Sequence, residues 1–304
     1  MRTQRRIRVI VNPAAGSGRG MRALKRSGLL DSRYDGVSLE IVESRSPEHL
    51  RDVVRASEED DIDALGLAGG DGTVAIALGA LNGVNRVPIG ILPSGSGNDF
   101  AAHIGVPASI PGAIAVLLHG SVRHVDVASA APSGARYCCV ATVGLDEVAL
   151  GFIHRSPFPR SKALNIVSVL RALAVYRQRP AKITWEGGAF EGEIMFAAVT
   201  NTRSYGGGFK ISPSAIIDDG VLDVCIVRRT GRLRLISQFP RVLAGTHGSM
   251  PEVLFASSPW VRIEGLPEQL PVALDGELPQ WTTPTELRCQ PGALRVLTPN
   301  GEMN

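Results

Sequence analysis

Apolar residues in the first third of the chain fall into short runs: IRVIV at 7–11, LEIV at 39–42, ALGLA at 64–68 and VPIGIL at 87–92. Runs of this length, rich in branched side chains and ended by Gly, Pro or Asn, predict buried strands. Between them, 48–57 sets Leu50, Val53 and Val54 at helical spacing, and 73–81 is rich in Ala and Leu. Both segments predict helices. Strands alternating with helices, and glycines at the strand ends, predict an α/β domain with an open, mainly parallel, doubly wound sheet.

The pattern changes near residue 123. From there, strand-like runs at 123–127, 137–143, 182–185, 190–199, 221–227, 253–255 and 261–263 follow one another through Gly, Pro and Ser. Gly187-Gly188 marks a hairpin turn. Only 161–176 predicts a long helix in this half. The pattern therefore predicts a nucleotide-binding α/β domain over 1–127 and a β-rich, antiparallel domain over 128–289. The tail, about 290–304, is expected to pack back on the first domain.

Composition agrees with two packed domains. The chain has 304 residues, of which 44% are hydrophobic and 20% charged, enough apolar material for two cores and too much for a disordered chain. A formal net charge of +3 gives no reason to expect nucleic acid, although it suits phosphates or an anionic membrane surface. Cys138, Cys139, Cys225 and Cys289 contain no CxxC spacing, which argues against a disulfide framework or structural zinc. The run at 7–11 is too short for the core of a signal peptide, and no stretch approaches a membrane span. A cytoplasmic protein is expected.

Glycine clusters carry the candidate chemistry. Three close apparent parallel strands: Asn12-Pro13-Ala14-Ala15-Gly16-Ser17-Gly18, Gly69-Gly70-Asp71-Gly72-Thr73, and Ser94-Gly95-Ser96-Gly97-Asn98-Asp99. Small residues at a strand end let backbone amides approach phosphate oxygens, and the next helix adds its positive end. One such cluster is an ordinary tight turn; three at one sheet edge form a nucleotide-site pattern. Neither GxxxxGK[ST] nor GxGxxG is present. Further clusters lie at Tyr205-Gly206-Gly207-Gly208-Phe209, Asp218-Asp219-Gly220 and Asp275-Gly276-Glu277.

Taken in order, VNPAAGSG, GGDGT, LPSGSGNDFA, VGLDEVA, YGGGFKISPSAIIDDGVLDV and LDGE resemble the diacylglycerol kinase catalytic-domain family, which includes bacterial lipid kinases and sphingosine and ceramide kinases. The resemblance runs from residue 7 to about 298. It implies a fold like that of NAD kinases and diacylglycerol kinases, with a sandwich-like second domain. It also implies transfer of the γ-phosphoryl group of ATP to the hydroxyl of diacylglycerol or a related long-chain lipid alcohol. On that reading Asn12, Gly16, Ser17, Ser44, Gly70, Gly72, Thr73, Gly95, Ser96 and Asn98 bind ATP. Asp275, with Glu277 and Asp71, forms the catalytic set, Asp275 as the general base. Mg2+ is implied at the Asp219 carboxylate with main-chain oxygens of Ile216 and Val221, Asp126 belonging to the supporting network and Asp146 serving it too.

The family commonly has Asn and Glu where this chain has Ala75 and Ile76, and Arg where it has Ala102. These departures keep two alternatives open. One is NAD kinase-like phosphorylation of a soluble metabolite; the other is a nucleotide- or lipid-binding pseudokinase. The helix at 161–176, apolar at Leu164, Val167, Leu170 and Leu173 and rimmed by Arg155, Arg160, Lys162, Arg177 and Arg179, is expected to touch an anionic membrane reversibly, with packing against the β-rich domain as the alternative. Homodimer formation is left open. The six histidines show no paired-ligand spacing, and Cys138 and Cys139, read as one apolar strand, are expected to face opposite ways.

Overall fold

A computed structural model describes residues 4–26, 34, 36–278 and 280–301. The chain divides into two compact units, residues 1–125 with 292–304, and 126–291.

In the first unit β1 (Arg5–Val11), α1 (Arg19–Arg26), β2 (Val37–Glu43), α2 (Pro47–Glu59), β3 (Ala64–Gly69), α3 (Asp71–Leu78), β4 (Ile89–Pro93), α4 (Asp99–His103) and α5 (Ile110–His119) follow one another. The strands run parallel in the order β2-β1-β3-β4. Strands β3 and β4 are buried along their whole length, and β1 from Ile7 onward, as expected of a sheet covered on both faces. Helix α2 starts where its sequence says it should: Ser46 Oγ accepts from His49 N at 3.1 Å, and Pro47 occupies the first helical position. Its Leu50 and Val54 face the core.

The third helix begins two residues earlier than the pattern at 73–81 suggests. Gly70 is its cap, so Asp71, Gly72 and Thr73 form the first helical turn rather than a loop. The amide ends of α3 therefore point to the sheet edge where β1, β3 and β4 stop.

Two strands, β5 (Ser121–Ala131) and β15 (Thr285–Thr298), run from one unit into the other. The second unit contains β6 (Ala135–Tyr137), β7 (Val140–Gly144), α6 (Leu145–His154), α7 (Lys162–Val175), β8 (Arg179–Trp185), β9 (Gly188–Thr200), β10 (Leu222–Arg228), α8 (Arg232–Ala244), β11 (Val253–Ser258), β12 (Trp260–Gly265), β13 (Pro271–Leu274) and β14 (Trp281–Thr282). Strands pair antiparallel in the order β14-β13-β7-β9-β8-β12-β15, and β9 also pairs with β10, which pairs with β11. Their inner faces bury Val143, Ile183, Ile194, Val199, Val261 and Val272 among others, each contributing about 1.5–3 kcal/mol. The β8–β9 hairpin turns on Glu186 and Gly187.

Two expectations need correction here. Besides α7, the second unit holds α6 and α8, which the pattern missed. Helix α8 carries Leu235, Phe239, Val242 and Leu243 on one half-buried face, but Pro240 inside it reads as a helix breaker and hides that spacing. The segment 137–143 is not one strand either: β6 stops at Tyr137, β7 starts at Val140, and Cys138-Cys139 form a bend whose sulfurs lie 4.0 Å apart.

Candidate active site

At the carboxyl edge of the parallel sheet, the four strand ends carry the residues that sequence singled out. Asn12 follows β1, and its Oδ1 accepts from Ala14 N at 3.0 Å while its Nδ2 donates to Thr73 Oγ1 at 2.9 Å. This locks the Asn12 turn to the first turn of α3. Thr73 is buried, so its hydroxyl serves as a pin beneath the edge. Ser44, after β2, is also buried, and both its N–H (2.9 Å) and its hydroxyl (3.3 Å) donate to Val11 O.

Gly70 and Gly95 meet back to back. A Cβ on Gly95 would sit 2.4 Å from the Gly70 Cα, and a Cβ on Gly70 would sit 2.8 Å from the Gly95 Cα. Only glycine at both positions lets the β3 and β4 turns close on each other. Asn98 completes the turn in the left-handed region (φ 59°), its Oδ1 accepting from Gly95 N at 2.8 Å and its Nδ2 donating to Gly95 O at 3.1 Å. Asp71 Oδ1 accepts from Phe100 N at 3.1 Å and so joins the two turns. Ser96 stays exposed at the tip and Gly16 lies partly exposed in the turn after β1. The Ser17 side chain lies outside the described residues. Asn12, Gly70, Gly72, Thr73, Gly95 and Asn98 thus share one edge, with buried Thr73 and Ser44 as supports.

In the second unit, Asp275 follows β13 in a left-handed conformation (φ 48°), and Gly276 continues it (φ 76°). Its main-chain N–H donates to Val140 O at 2.8 Å. The carboxylate faces the Cys138-Cys139 bend: Oδ1 accepts from Cys139 N (2.8 Å) and Val140 N (3.0 Å), and Oδ2 from Cys138 N (2.9 Å) and Cys138 Sγ (3.4 Å). Three successive amides make an anion-binding concavity of the bend. Burial pushes the Asp275 carboxyl above its ordinary value, against the lowering effect of these donors. Cys138, Cys139 and Asp275 could in principle hold a metal ion, but N–H donors aimed at both carboxylate oxygens suit an anion. Glu277 is exposed, donates its N–H to Leu274 O at 3.0 Å, and pairs with Arg160 at 3.8 Å.

The turn carrying Ile216, Asp219 and Val221 is tied to buried Asp126, whose N–H donates to Ile217 O (2.8 Å) and whose Oδ2 accepts from Gly220 N (2.7 Å). Asp219 is exposed, and its Oδ1 accepts from Val221 N at 3.2 Å. One carboxylate and two carbonyl oxygens are hard donors, which fit Mg2+. Cys289 lies against Asp126; burial, together with that carboxylate, pushes its thiol up to about 12. Asp146 is buried and accepts from Thr142 Oγ1 (2.7 Å) and Tyr205 Oη (3.1 Å). Sequence reasoning missed the Cys138-Cys139 clasp and the pairing of Arg160 with Glu277. The adjacent cysteines were the only signal for the first, and nothing in the spacing pointed to the second.

The family model for the diacylglycerol kinase catalytic domain matches residues 6–130, and that for the YegS C-terminal NAD kinase beta sandwich-like domain matches residues 139–298. A diacylglycerol kinase of Mycobacterium tuberculosis (strain CDC 1551 / Oshkosh) is 28% identical over 97% of this chain and 95% of its own length. A Pseudomonas aeruginosa (strain UCBPP-PA14) protein named "Probable lipid kinase YegS-like" is 31% identical over 77% of this chain and 76% of its own. In fold, the chain matches the crystal structure of a diacylglycerol kinase from Bacillus anthracis str. Sterne with a TM-score of 0.74, at 23% identity and 97% coverage of each chain.

Proposed function

Because this chain belongs to the diacylglycerol kinase and YegS-like lipid kinase family, we propose that it transfers the γ-phosphoryl group of ATP to the hydroxyl of diacylglycerol or a related long-chain lipid alcohol. The observation that carries the nucleotide half of this reading is the closed Gly70–Gly95 contact, which brings the turns after β3 and β4 together beside Asn12. Backbone at this edge, with the amide end of α3, is suited to phosphate oxygens. Asn12, Gly16, Ser17, Ser96 and Asn98 are the contacts we assign to ATP; Thr73 supports Asn12 through its hydroxyl, and Ser44 bonds the end of β1 at Val11.

On the acceptor side, Asp275 receives the hydroxyl proton as the new P–O bond forms. Four donors already occupy its carboxylate in the resting conformation. The thiol of Cys138 is the weakest of them, and the lipid hydroxyl takes its place. A carboxyl raised by burial is the stronger base for that task. Asp219, with the carbonyls of Ile216 and Val221, would hold Mg2+, which supplies charge to steady this loop. Phosphoryl transfer needs little more than positioning and charge.

Reaching a lipid requires contact with a bilayer surface. No described helix is long and apolar enough to cross a membrane. Residues 148–185, by contrast, contain no Asp or Glu at all, and Phe158, Val167 and Val175 are exposed at 72%, 52% and 57%. Apolar side chains among cations suit an anionic interface, at about 1 kcal/mol per basic residue near the surface. Binding to anionic liposomes that weakens with salt, and with Glu at Arg155, Arg160, Lys162, Arg177 and Arg179, is expected. Binding indifferent to both overturns the surface assignment.

The function is tested with radiolabelled ATP, Mg2+ and a panel of lipid alcohols in mixed micelles, with NAD as a parallel acceptor. Labelled phospholipid that disappears in Asp275→Asn supports the proposal. NADP formation supports the soluble-metabolite reading instead. ATP binding without transfer to any acceptor supports the pseudokinase reading, which Ala75, Ile76 and Ala102 motivate.

A further inference from the structure

The Asp275–Gly276 turn is held from one side by the Cys138-Cys139 bend, as described above. Two consecutive left-handed residues, the first of them not glycine, make a conformation that persists only where its surroundings over-determine it. On the other side of the turn stands the end of α6. There Arg160 Nη2 lies 2.8 Å from His154 Nε2 and 3.4 Å from Nδ1. Arg160 Nη1 reaches Glu277 Oε1 at 3.8 Å, and the Gly276 backbone bonds to the His154 ring. His154, Arg160, Gly276 and Glu277 form a closed circuit spanning 154–160 and 276–277.

Burial and the neighbouring Arg160 guanidinium hold His154 below the ordinary imidazole value. A neutral ring can do both jobs the circuit asks of it: one nitrogen accepts from Arg160, and the other donates to the Gly276 carbonyl.

We propose that His154 and Arg160 are positioning residues that strap the Asp275–Gly276–Glu277 turn from its outer side and so fix the reach of the Asp275 carboxylate. The strap rests on the reading of Asp275 as the proton acceptor, but its mechanical half does not. Arg160 fixes His154 and Glu277 at once, so removing either partner slackens the same turn. A displacement of about 1 Å in a reacting group lowers a rate by up to ~100-fold, and a partial slackening is expected to cost about 10-fold.

Full-length protein carrying His154→Ala, Arg160→Ala, both changes, or His154→Gln is compared with wild type by steady-state transfer to diacylglycerol and by backbone hydrogen exchange of the peptide covering 271–280. Each single Ala variant is expected to lose about 10-fold in kcat with the KM for ATP unchanged. The double variant should lose no more than either single change, because the two act as one unit. Gln, whose amide offers an NH2 donor group and a carbonyl acceptor, should restore most of the rate. Exchange at 275–277 should quicken in the Ala variants. Losses that multiply in the double variant, or exchange that stays as slow as in wild type, overturn the strap. If wild type transfers no phosphate to any acceptor, the proposed function fails while the exchange comparison still decides the strap.

Discussion

Replacing Asp275 with Asn tests the acceptor site with the smallest possible change of shape. The carboxylate now takes four donors, three of them backbone N–H groups of 138–140. An amide keeps one oxygen, which satisfies Cys139 and Val140 in the better orientation and turns its NH2 toward Cys138. One amide donor is then left facing another donor, at about 1–3 kcal/mol. Burial disfavours the charged form and holds the Asp275 carboxyl above its usual value, so removing the charge returns part of that. A net loss of about 1–2 kcal/mol is expected, seen as a lower urea midpoint with unchanged slope. A domain stable by at least ~5 kcal/mol remains almost wholly folded after such a loss. Loss of a general base, by contrast, lowers kcat by about 10²–10⁴. The two effects therefore separate: transfer falls by orders of magnitude in a protein that is still folded, with the KM for ATP unchanged. Transfer within about 10-fold of wild type would refute Asp275 as the proton acceptor. An unchanged or higher urea midpoint would refute the account of the clasp.

Gly95→Ala puts a methyl group 2.4 Å from the Gly70 Cα, so two backbones must part by about 1 Å at an overpacking cost of ~1–3 kcal/mol. The expected outcome is a KM for ATP raised about 10-fold or more with a lower urea midpoint, and an unchanged KM would remove the Gly70–Gly95 contact from the nucleotide site. Asp146 gives a pH test: burial raises its carboxyl despite bonds from Thr142 and Tyr205, so the folded state binds its proton more tightly than the unfolded chain, where the value is about 3.9. Its contribution therefore becomes more stabilising as pH falls through the window between the raised folded value and 3.9, and is unfavourable above it. Urea titrations of Asp146→Asn should show a stability difference from wild type that shrinks as pH falls, and a difference independent of pH would contradict this.

What could be read from the sequence was what local physics decides. The turns after β1, β3 and β4 are legible because a parallel strand ends where its apolar run ends, and only small residues let such ends crowd together. Even so, the roles within them were not all legible. Thr73 reads as a loop hydroxyl, but the helix starts at Asp71 and turns it inward to Asn12. Asp71 reads as a free carboxylate, whereas it bonds to Phe100, 29 residues on. In the second unit, strand alternation failed at Cys138-Cys139 because a bend there exposes three amides to a residue 135–137 positions later in the chain. No window of local sequence contains that pairing.

On the proposed function, the acceptor side is harder to read from sequence than the nucleotide side. Phosphate recognition at a strand edge uses backbone, and backbone availability is announced by glycine. The role proposed for Asp275 depends instead on the surroundings of one turn: the 138–140 amides bind its carboxylate, and His154 and Arg160 meet the neighbouring Gly276 and Glu277. Each partner is an ordinary residue with an ordinary reading where it stands. A change at Ala75 or Ile76 alters the outside of α3, both positions being only partly buried, without touching that clasp. On the function proposed above, the two family departures on α3 therefore bear on the nucleotide side of the site, and the Asp275 clasp stands apart from them.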